Sequence, residues 1–212
     1  MRVFYAIFLD DPDLRAAFDT IRLICTPTEK LRTHITVRGP YRQRYPQRLR
    51  MVSETLRHAH IWISGAGCFF GGRQNTVFLE AHSEELTKAF RKPDYPKAIP
   101  HMTLYDGKER DFAEELYVCF KDTKISFDFR TDGLVPVVSQ SGQSNFDLRL
   151  TIQEMLVRQF TDIDLSLPAL REISNRERIA TIRGILRILV TRGLVKTTAQ
   201  PTEWKRREVS SL

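Results

Sequence analysis

The sequence has few of the features that would place a protein in a membrane or in an oxidising compartment. Three cysteines among 212 residues are an odd number, and they lack metal-site spacing. We therefore expect reduced thiols, no structural zinc and a cytoplasmic location. No apolar run approaches the roughly 20 residues that cross a bilayer. The apolar start, MRVFYAIFL, runs directly into acidic residues without a small-residue cleavage site, which predicts a first strand rather than a signal peptide.

Charge is present in excess of one sign and is unevenly distributed. The formal net charge is +7. Residues 148–212 hold 12 basic and 7 acidic residues, a net +5, which leaves +2 for residues 1–147. This asymmetry indicates a body followed by a basic C-terminal segment, and it favours an anionic partner.

One tripeptide, His-x-Thr, occurs twice inside apolar, strand-like runs, in THITVRGPY at 33–41 and in PHMTLYDG at 100–107. Residues i and i+2 of a strand point to the same side. The histidine and threonine of each motif therefore share a face, and the same alternation extends that face by one more residue. The predicted polar faces consist of His34, Thr36 and Arg38 on one strand and of His101, Thr103 and Tyr105 on the other.

The order of predicted elements also repeats along the chain. A strand, a helix, a His-x-Thr strand and a helix are followed by strands, a helix, the second His-x-Thr strand, a helix and closing strands. Asp11-Pro12 and Ser83 are the helix-start signals before the first helix and before the helix over 84–91. We interpret this order as an internal duplication that places two α+β lobes opposite one another.

Two facing histidines suit acid–base chemistry at a phosphodiester. The ordinary imidazole pKa of about 6.5 lets one ring accept a proton while the other, protonated, donates one. Threonine hydroxyls can donate hydrogen bonds to the non-bridging phosphate oxygens, where negative charge must be held. The sequence contains no carboxylate cluster typical of a bound divalent cation, so we expect no metal and no cofactor.

With these motifs, residues 1–140 resemble the 2H phosphoesterase superfamily, which includes RNA 2′,3′-cyclic phosphodiesterases and 2′–5′ RNA ligase-like proteins. RVFYAIFLDDPDLRAAFDTIR is similar to the opening strand and helix of that family, KAIPHMTLYDG to its second motif, and FRTDGLVPVVS to its closing strand. The run RGPYRQRYPQR after the first motif is more basic than the family pattern.

The resemblance implies an α+β fold of two lobes, with duplicated antiparallel sheets related by a pseudo-twofold axis around a cleft. It implies His34, Thr36, His101 and Thr103 as the catalytic set, with His101 as base and His34 as acid when a cyclic phosphate is opened. The implied substrate is RNA or a nucleotide with a ribose phosphodiester: a 2′,3′-cyclic phosphate end, a 2′–5′ linkage or a cyclic oligonucleotide.

The neighbourhood of the motifs supplies the candidate substrate-binding residues Arg38, Tyr41 and Tyr105. Tyr41 lies beyond a Gly-Pro turn, and aromatic side chains stack on bases in RNA sites. Packing is the alternative role for Tyr41, and ordinary solvated strand positions are the alternative for the other two.

After a predicted linker at 141–147, residues 148–212 show three helical patterns, near 148–160, 167–173 and 176–192, and then a short strand. Helix, helix, longer helix and strand resemble a winged helix-turn-helix, whose third helix can enter a DNA groove. Its candidate nucleic-acid contacts are Arg176, Arg183 and Arg187. A helical cap, a dimerisation element or a protein-binding module explains the apolar stripe of the third helix equally well.

Two other functions remain open from the sequence. The reverse reaction would make the protein a 2′–5′ RNA ligase. A different class is a nucleic-acid-binding regulator whose duplicated body senses a nucleotide. No membrane partner is expected in either case.

Overall fold

The computed structural model of the chain describes residues 2–28, 31–42, 46–71, 73–91, 94, 98–140, 143–144, 160–164 and 166–197. Its strands are β1 (Arg2–Phe8), β2 (His34–Tyr41), β3 (His60–Phe69), β4 (Asn75–His82), β5 (His101–Gly107), β6 (Ile125–Arg130), β7 (Val135–Gln140), β8 (Gln143–Ser144) and β9 (Lys196–Thr197). Its helices are α1 (Pro12–Cys25), α2 (Pro46–Leu56), α3 (Glu84–Ala89), α4 (Arg110–Thr123), α5 (Leu167–Glu172) and α6 (Asn175–Thr191).

The nine strands of this described part form one sheet in the order β8-β7-β1-β2-β5-β4-β3-β6-β9. All of their pairings are antiparallel. The predicted α+β class is therefore confirmed. The two His-x-Thr strands, β2 and β5, are neighbours in the middle of the sheet, so the element order of the sequence brings both motifs to its centre.

The predicted helix starts are confirmed by their hydrogen bonds. The Asp11 carboxylate accepts from the backbone N–H groups of Asp13 and Leu14 at 2.9 and 2.8 Å. The Ser83 hydroxyl oxygen accepts from the Leu86 N–H at 2.9 Å. Each contact satisfies donors that the first turn of a helix leaves without an intrahelical partner.

One face of the sheet carries the main apolar core. Alternate residues of the central strands, such as Ile35, Ile61 and Met102, are at most 1 % exposed and belong to one cluster with the inward side chains of α1 and α4. The other residues of the same strands, including both motif histidines, lie on the opposite face, because side chains alternate along a strand.

The C-terminal elements share this core. The predicted apolar stripe of α6 is buried at Ile179, Ile182, Leu186 and Leu189, and α6 packs against α1 and α4. Strand β9 pairs with β6, which extends the sheet at its edge. The winged-helix architecture and the division of the chain at 141–147 stay predictions, and the first tail helix, near 148–160, lies almost wholly outside the described residues.

Part of the predicted linker has regular structure. Gln143 and Ser144 form β8 and pair with the end of β7. Among the described helices, none combines the length and the apolarity that a membrane crossing requires.

Candidate active site

The two motifs meet where β2 and β5 pair. Ile35 is paired with Met102 in an antiparallel register, and this is the one residue pair that joins the two strands in their described ranges. Extending the register by one residue on either side places His34 across from Thr103 and Thr36 across from His101. The four predicted catalytic residues therefore lie on one face around a local twofold. Diagonal neighbours in such a pair are about 7–8 Å apart, which is the expected Cα separation of the two histidines.

Both histidines make the same backbone hydrogen bond. His34 Nδ1 lies 2.7 Å from the carbonyl oxygen of Arg32, and His101 Nδ1 lies 2.8 Å from that of Ile99. A carbonyl oxygen can only accept, so each Nδ1 must carry a proton. The charge of each ring is consequently decided at Nε2, which is a base in the neutral ring and an acid in the charged ring.

Aromatic side chains pack against each ring and limit its motion. Phe4 and Phe8 of β1 lie beside His34, with ring centroids 5.3 and 5.8 Å away. On the other side, Phe69 and Phe78 lie 6.0 and 4.7 Å from the His101 ring. The sequence alone did not reveal these four neighbours, because they come from other strands: Phe4, Phe8 and Phe78 from strands that pair with the motif strands, and Phe69 from β3, one strand further away.

The surroundings of His101 favour its neutral form. Burial lowers the pKa of His101 from its ordinary 6.5, while the hydrogen bond to the Ile99 carbonyl and the charge of Asp106 act in the opposite direction. Desolvation penalises the charged imidazolium, so this ring is suited to accept a proton near neutral pH.

The predicted extension of the polar face to Arg38 and Tyr105 is wrong in both strands. Against β1, the partners step from Ala6↔Thr36 to Tyr5↔Arg38, which leaves Val37 as an extra residue. A β-bulge of this kind interrupts the alternation of side chains. Arg38 is consequently 9 % exposed and donates to the carbonyl oxygens of Val37 and Ala89.

The second motif carries a bulge at the same offset from its histidine. Against β4, the partners step from Phe78↔Thr103 to Val77↔Tyr105, which leaves Leu104 as the extra residue. Tyr105 is 3 % exposed, and its hydroxyl oxygen accepts from the Glu109 N–H at 2.9 Å, at the start of α4. Burial raises the pKa of Tyr105. Arg38 therefore contacts the end of α3 and Tyr105 the start of α4. Their substrate-binding role stays a prediction.

Tyr41, the third predicted substrate-binding residue, is half-buried at the end of β2. Its hydroxyl donates to the Asp94 carboxylate at 2.7 Å, and the same carboxylate oxygen accepts from the Gly39 N–H at 2.8 Å. The Tyr41 and Tyr5 ring centroids are 6.2 Å apart. These contacts hold the turn after the first motif, and base stacking by Tyr41 stays a prediction.

Helix α1 holds both motifs from the core side of the sheet through buried charges. The Asp19 carboxylate accepts from the Thr33 N–H at 2.7 Å and lies 3.4 Å from the Arg32 guanidinium. One turn later, Arg22 donates to the Thr103 carbonyl oxygen at 2.6 Å. Asp19 and Arg22 are 1 % and 5 % exposed, and burial raises the pKa of Asp19.

These contacts give α1 a positioning role. Asp19 fixes Thr33 and Arg32, the two residues before His34, and the Arg32 carbonyl is the group that His34 Nδ1 contacts. Arg22 fixes the β5 backbone at Thr103. Since a single residue pair joins β2 to β5 in their described ranges, the helix supplies further links between the two motifs.

The three tail arginines, Arg176, Arg183 and Arg187, are exposed on α6. Arg183 also hydrogen-bonds the Cys119 thiol on α4 and lowers its pKa, although burial dominates and raises it. Arg178, which sequence reasoning did not single out, is buried on the same helix, 5.6 Å from the Phe112 ring centroid. The arginines of α6 thus lie both on its exposed surface and in its packing against α4.

No protein-family model matches the chain, and no curated protein matches its sequence. Within the described residues, no group of three or more His, Cys, Asp or Glu side chains is arranged to hold a metal ion.

Proposed function

We propose that the protein is a phosphodiesterase of the 2H type that cleaves a ribose phosphodiester by two-histidine acid–base catalysis, without a metal. Candidate substrates are a 2′,3′-cyclic phosphate end of RNA, a 2′–5′ linkage and a cyclic oligonucleotide. The observation that carries this proposal is the local twofold at Ile35 and Met102, around which each histidine fixes its Nδ1 proton on a backbone carbonyl.

The proposed architecture follows the same twofold. The order β1-α1-β2-α2-β3 corresponds to β4-α3-β5-α4-β6. Strand β3 leaves the first series and pairs with β4 of the second, whereas β7 returns from the end of the second series to pair with β1. In this proposal, each lobe is completed by a strand that follows the other lobe's motif, with the cleft between them.

In the proposed mechanism, neutral His101 takes a proton at Nε2 from the attacking water. The water oxygen bonds to phosphorus, and the bond from phosphorus to one ribose oxygen breaks. Protonated His34 gives its Nε2 proton to that leaving oxygen, so one proton enters and one leaves the enzyme. The hydroxyls of Thr36 and Thr103 donate to the non-bridging oxygens, where the transition state gathers charge. The lowered pKa of His101 supports its assignment as base.

A substrate panel tests the proposal. Purified protein is assayed with 2′,3′-cyclic mononucleotides, 2′–5′ dinucleotides, 3′,5′-cyclic nucleotides and cyclic oligonucleotides, with and without EDTA. General acid–base groups contribute about 10²- to 10⁴-fold each, so His34→Ala and His101→Ala should each lower kcat by that factor. EDTA should leave the wild-type rate unchanged.

His58→Asn is the matched control. His58 is exposed, lies outside both motifs and has a positive φ of 62° that asparagine tolerates. Its rate should equal that of the wild type. Turnover that survives in either motif variant, or that EDTA abolishes, would contradict the proposal.

Two alternatives are decided by related assays. Ligation would appear as joined product from RNA with cyclic-phosphate and 5′-hydroxyl ends. The exposed arginines of α6 favour the regulator alternative, which requires salt-sensitive duplex binding. That binding should fall in Arg183→Ala and Arg187→Ala and persist in the histidine variants.

A further inference from the structure

Three strands on one side of the site carry a continuous set of polar and aromatic side chains. His101 pairs with Glu80 across β5 and β4, and His82 follows two residues later on the same face. His82 pairs with Trp62 on β3, and Trp62 pairs with Asp128 on β6. Directly paired residues of antiparallel strands present their side chains on the same face. Trp62 therefore lies on the sheet face that carries His101.

This part of the sheet face is accessible in the described structure. The alternate residues of β3 and β6, Ile61, Ile63, Phe127 and Phe129, are at most 5 % exposed, since they face the helices. In contrast, the side chains of His60 and Asp128 are 40 % and 48 % exposed, and Trp62 is half-buried.

The side chains around Trp62 are held in place by their own contacts. The His60 and Trp62 ring centroids are 4.1 Å apart, with a tilt of 52° between the rings. His60 Nε2 lies 2.6 Å from an Asp128 carboxylate oxygen. An indole ring, an imidazole and a carboxylate are thereby presented side by side, a combination that offers a stacking surface together with hydrogen-bond donors and acceptors.

The distance between Trp62 and His101 matches the size of a nucleotide. The two Cα atoms are separated by two strand spacings of about 4.8 Å across the sheet and by two residues, about 7 Å, along it. Together these give a distance of roughly 12 Å. When the side chains of Trp62 and His101 extend toward the ligand, a base can lie on Trp62 while the phosphate of the same nucleotide lies at the histidines.

The charges of the surface also favour a neutral ligand group. Glu80 and Asp128 both lie on this face, so a second phosphate would meet two carboxylates. A nucleobase carries no charge, stacks on an aromatic ring, and has amino and imino groups that donate to a carboxylate.

We propose that Trp62, with the His60–Asp128 pair beside it, forms a nucleobase subsite that binds the base of the substrate while its phosphate lies between His34 and His101. The inference rests on the proposed function. It adds that this half of the sheet selects the substrate by its base, through stacking on Trp62.

Kinetics with two substrates test this subsite. Wild-type protein, Trp62→Ala and Trp62→Phe are compared on cytidine 2′,3′-cyclic phosphate and on an abasic ribose 2′,3′-cyclic phosphate. Base stacking on an aromatic side chain is typically lost with about a 5- to 100-fold drop in affinity. Trp62→Ala should therefore lower kcat/KM by that factor on the cytidine substrate alone, and Trp62→Phe should lower it less. Ser64→Ala, on the same strand, is the control and should act like the wild type.

A binding measurement keeps this test separate from the proposed reaction. Trp204→Phe leaves Trp62 as the one tryptophan of the chain. In that background with His34→Ala, cytidine 2′-phosphate should quench Trp62 fluorescence and ribose 5-phosphate should not. Equal losses on both kinetic substrates, or no loss, would overturn the subsite while leaving the reaction intact. If the wild-type protein shows no turnover but cytidine 2′-phosphate still quenches Trp62 fluorescence, the proposed reaction is rejected and the base subsite is retained.

Discussion

His34 and His101 each make the same kind of hydrogen bond to a backbone carbonyl, but the strands that flank them carry different side chains. Beside His34, β1 and β7 present the buried side chains Ala6 and Val137, both fully inaccessible, together with two phenylalanines. Beside His101, β4 and β3 continue from Phe78 into Glu80, His82 and Trp62. The local geometry of the two histidines is therefore repeated, whereas the strands next to them carry different side chains.

This difference separates two requirements of the proposed reaction. Acid and base need the same support, a fixed Nδ1 proton and a packed ring, and both histidines have it. Recognition of a substrate can depend on one side alone, and the base subsite proposed above lies in the His101 half. Substitutions that act on both halves should therefore differ in kind from substitutions that act on one.

Outside the two histidines, the largest effect is expected at Asp19, which supports the His34 half from the core. Asp19→Ala removes the acceptor for the Thr33 N–H and leaves the Arg32 charge without its carboxylate, which costs about 3–5 kcal/mol of unfolding free energy. Displacement of His34 should lower kcat by on the order of 100-fold with little change in KM. Chemical denaturation and steady-state kinetics measure the two effects.

Asp19→Asn separates positioning from bulk stability. The amide oxygen can still accept from Thr33, so kcat should recover most of its value even where the lost charge lowers the melting temperature. Asp13→Asn, in the first turn of the same helix, is the control. If Asp19→Ala unfolds more readily but keeps the wild-type kcat and the wild-type titration of His34 by NMR, the positioning role is rejected.

The next effect concerns pH and the His101 half alone. Burial lowers the pKa of His101, so the ring stays neutral as pH falls below 6.5. The acid limb of kcat/KM should therefore lie below pH 6.5 if His101 is the base. Phe69 is 49 % exposed and lies edge-on to the His101 ring. Phe69→Ser admits water, which should raise this pKa and move the acid limb to higher pH.

Phe8→Ser, beside His34, sharpens the comparison because it should leave the acid limb in place. An acid limb that moves with Phe8→Ser and not with Phe69→Ser would exchange the roles of the two histidines. The same depressed pKa also affects stability. The unfolded chain takes up this proton first, so His101 should make folding less favourable as pH falls below 6.5.

The smallest effect is expected at Gly67, which faces Phe78 across β3 and β4. A Cβ atom at Gly67 would lie 2.3 Å from Cε2 of the Phe78 ring, so the ring must turn away. Gly67→Ala should therefore loosen the packing on His101 and raise its pKa in an NMR titration, with a change in kcat of a few-fold. Gly71→Ala tests for a general effect of lost glycine. Gly71 has open space where a Cβ atom would lie, but its φ is positive at 97°. An unchanged His101 titration in Gly67→Ala would show that Phe78 does not control the ring.

Local patterns in the sequence were sufficient to predict much of the central fold. The helix caps at Asp11 and Ser83, the α+β class and the stripe of α6 depend on neighbouring residues, and all three are confirmed. The common face of His34 and Thr36 also follows from strand alternation. That rule failed at Arg38 and Tyr105 because a bulge adds one residue, and a bulge is defined by the partner strand rather than by the strand itself.

Residues that act through tertiary contacts were not predicted. Every residue of α1 from Ala16 to Cys25 is buried, because α6 packs against the helix in addition to β5. Asp19 and Arg22 are therefore core charges in the fold, and nothing local in the sequence distinguishes them from surface charges. The face of Trp62 cannot be predicted from the sequence for a similar reason, since its register with Asp128 and His82 decides it.

The packing of α6 on α1 has a consequence for the order in which the protein is made. Both His-x-Thr strands and α1 precede α6 in the chain. They therefore leave the ribosome before α6, which packs against α1, has been made. Until Ile182, Leu186 and Leu189 arrive, the outer side of α1 is exposed to water. We expect the nascent chain to hold its motif strands loosely through most of synthesis and to gain a rigid site when its last described helix docks.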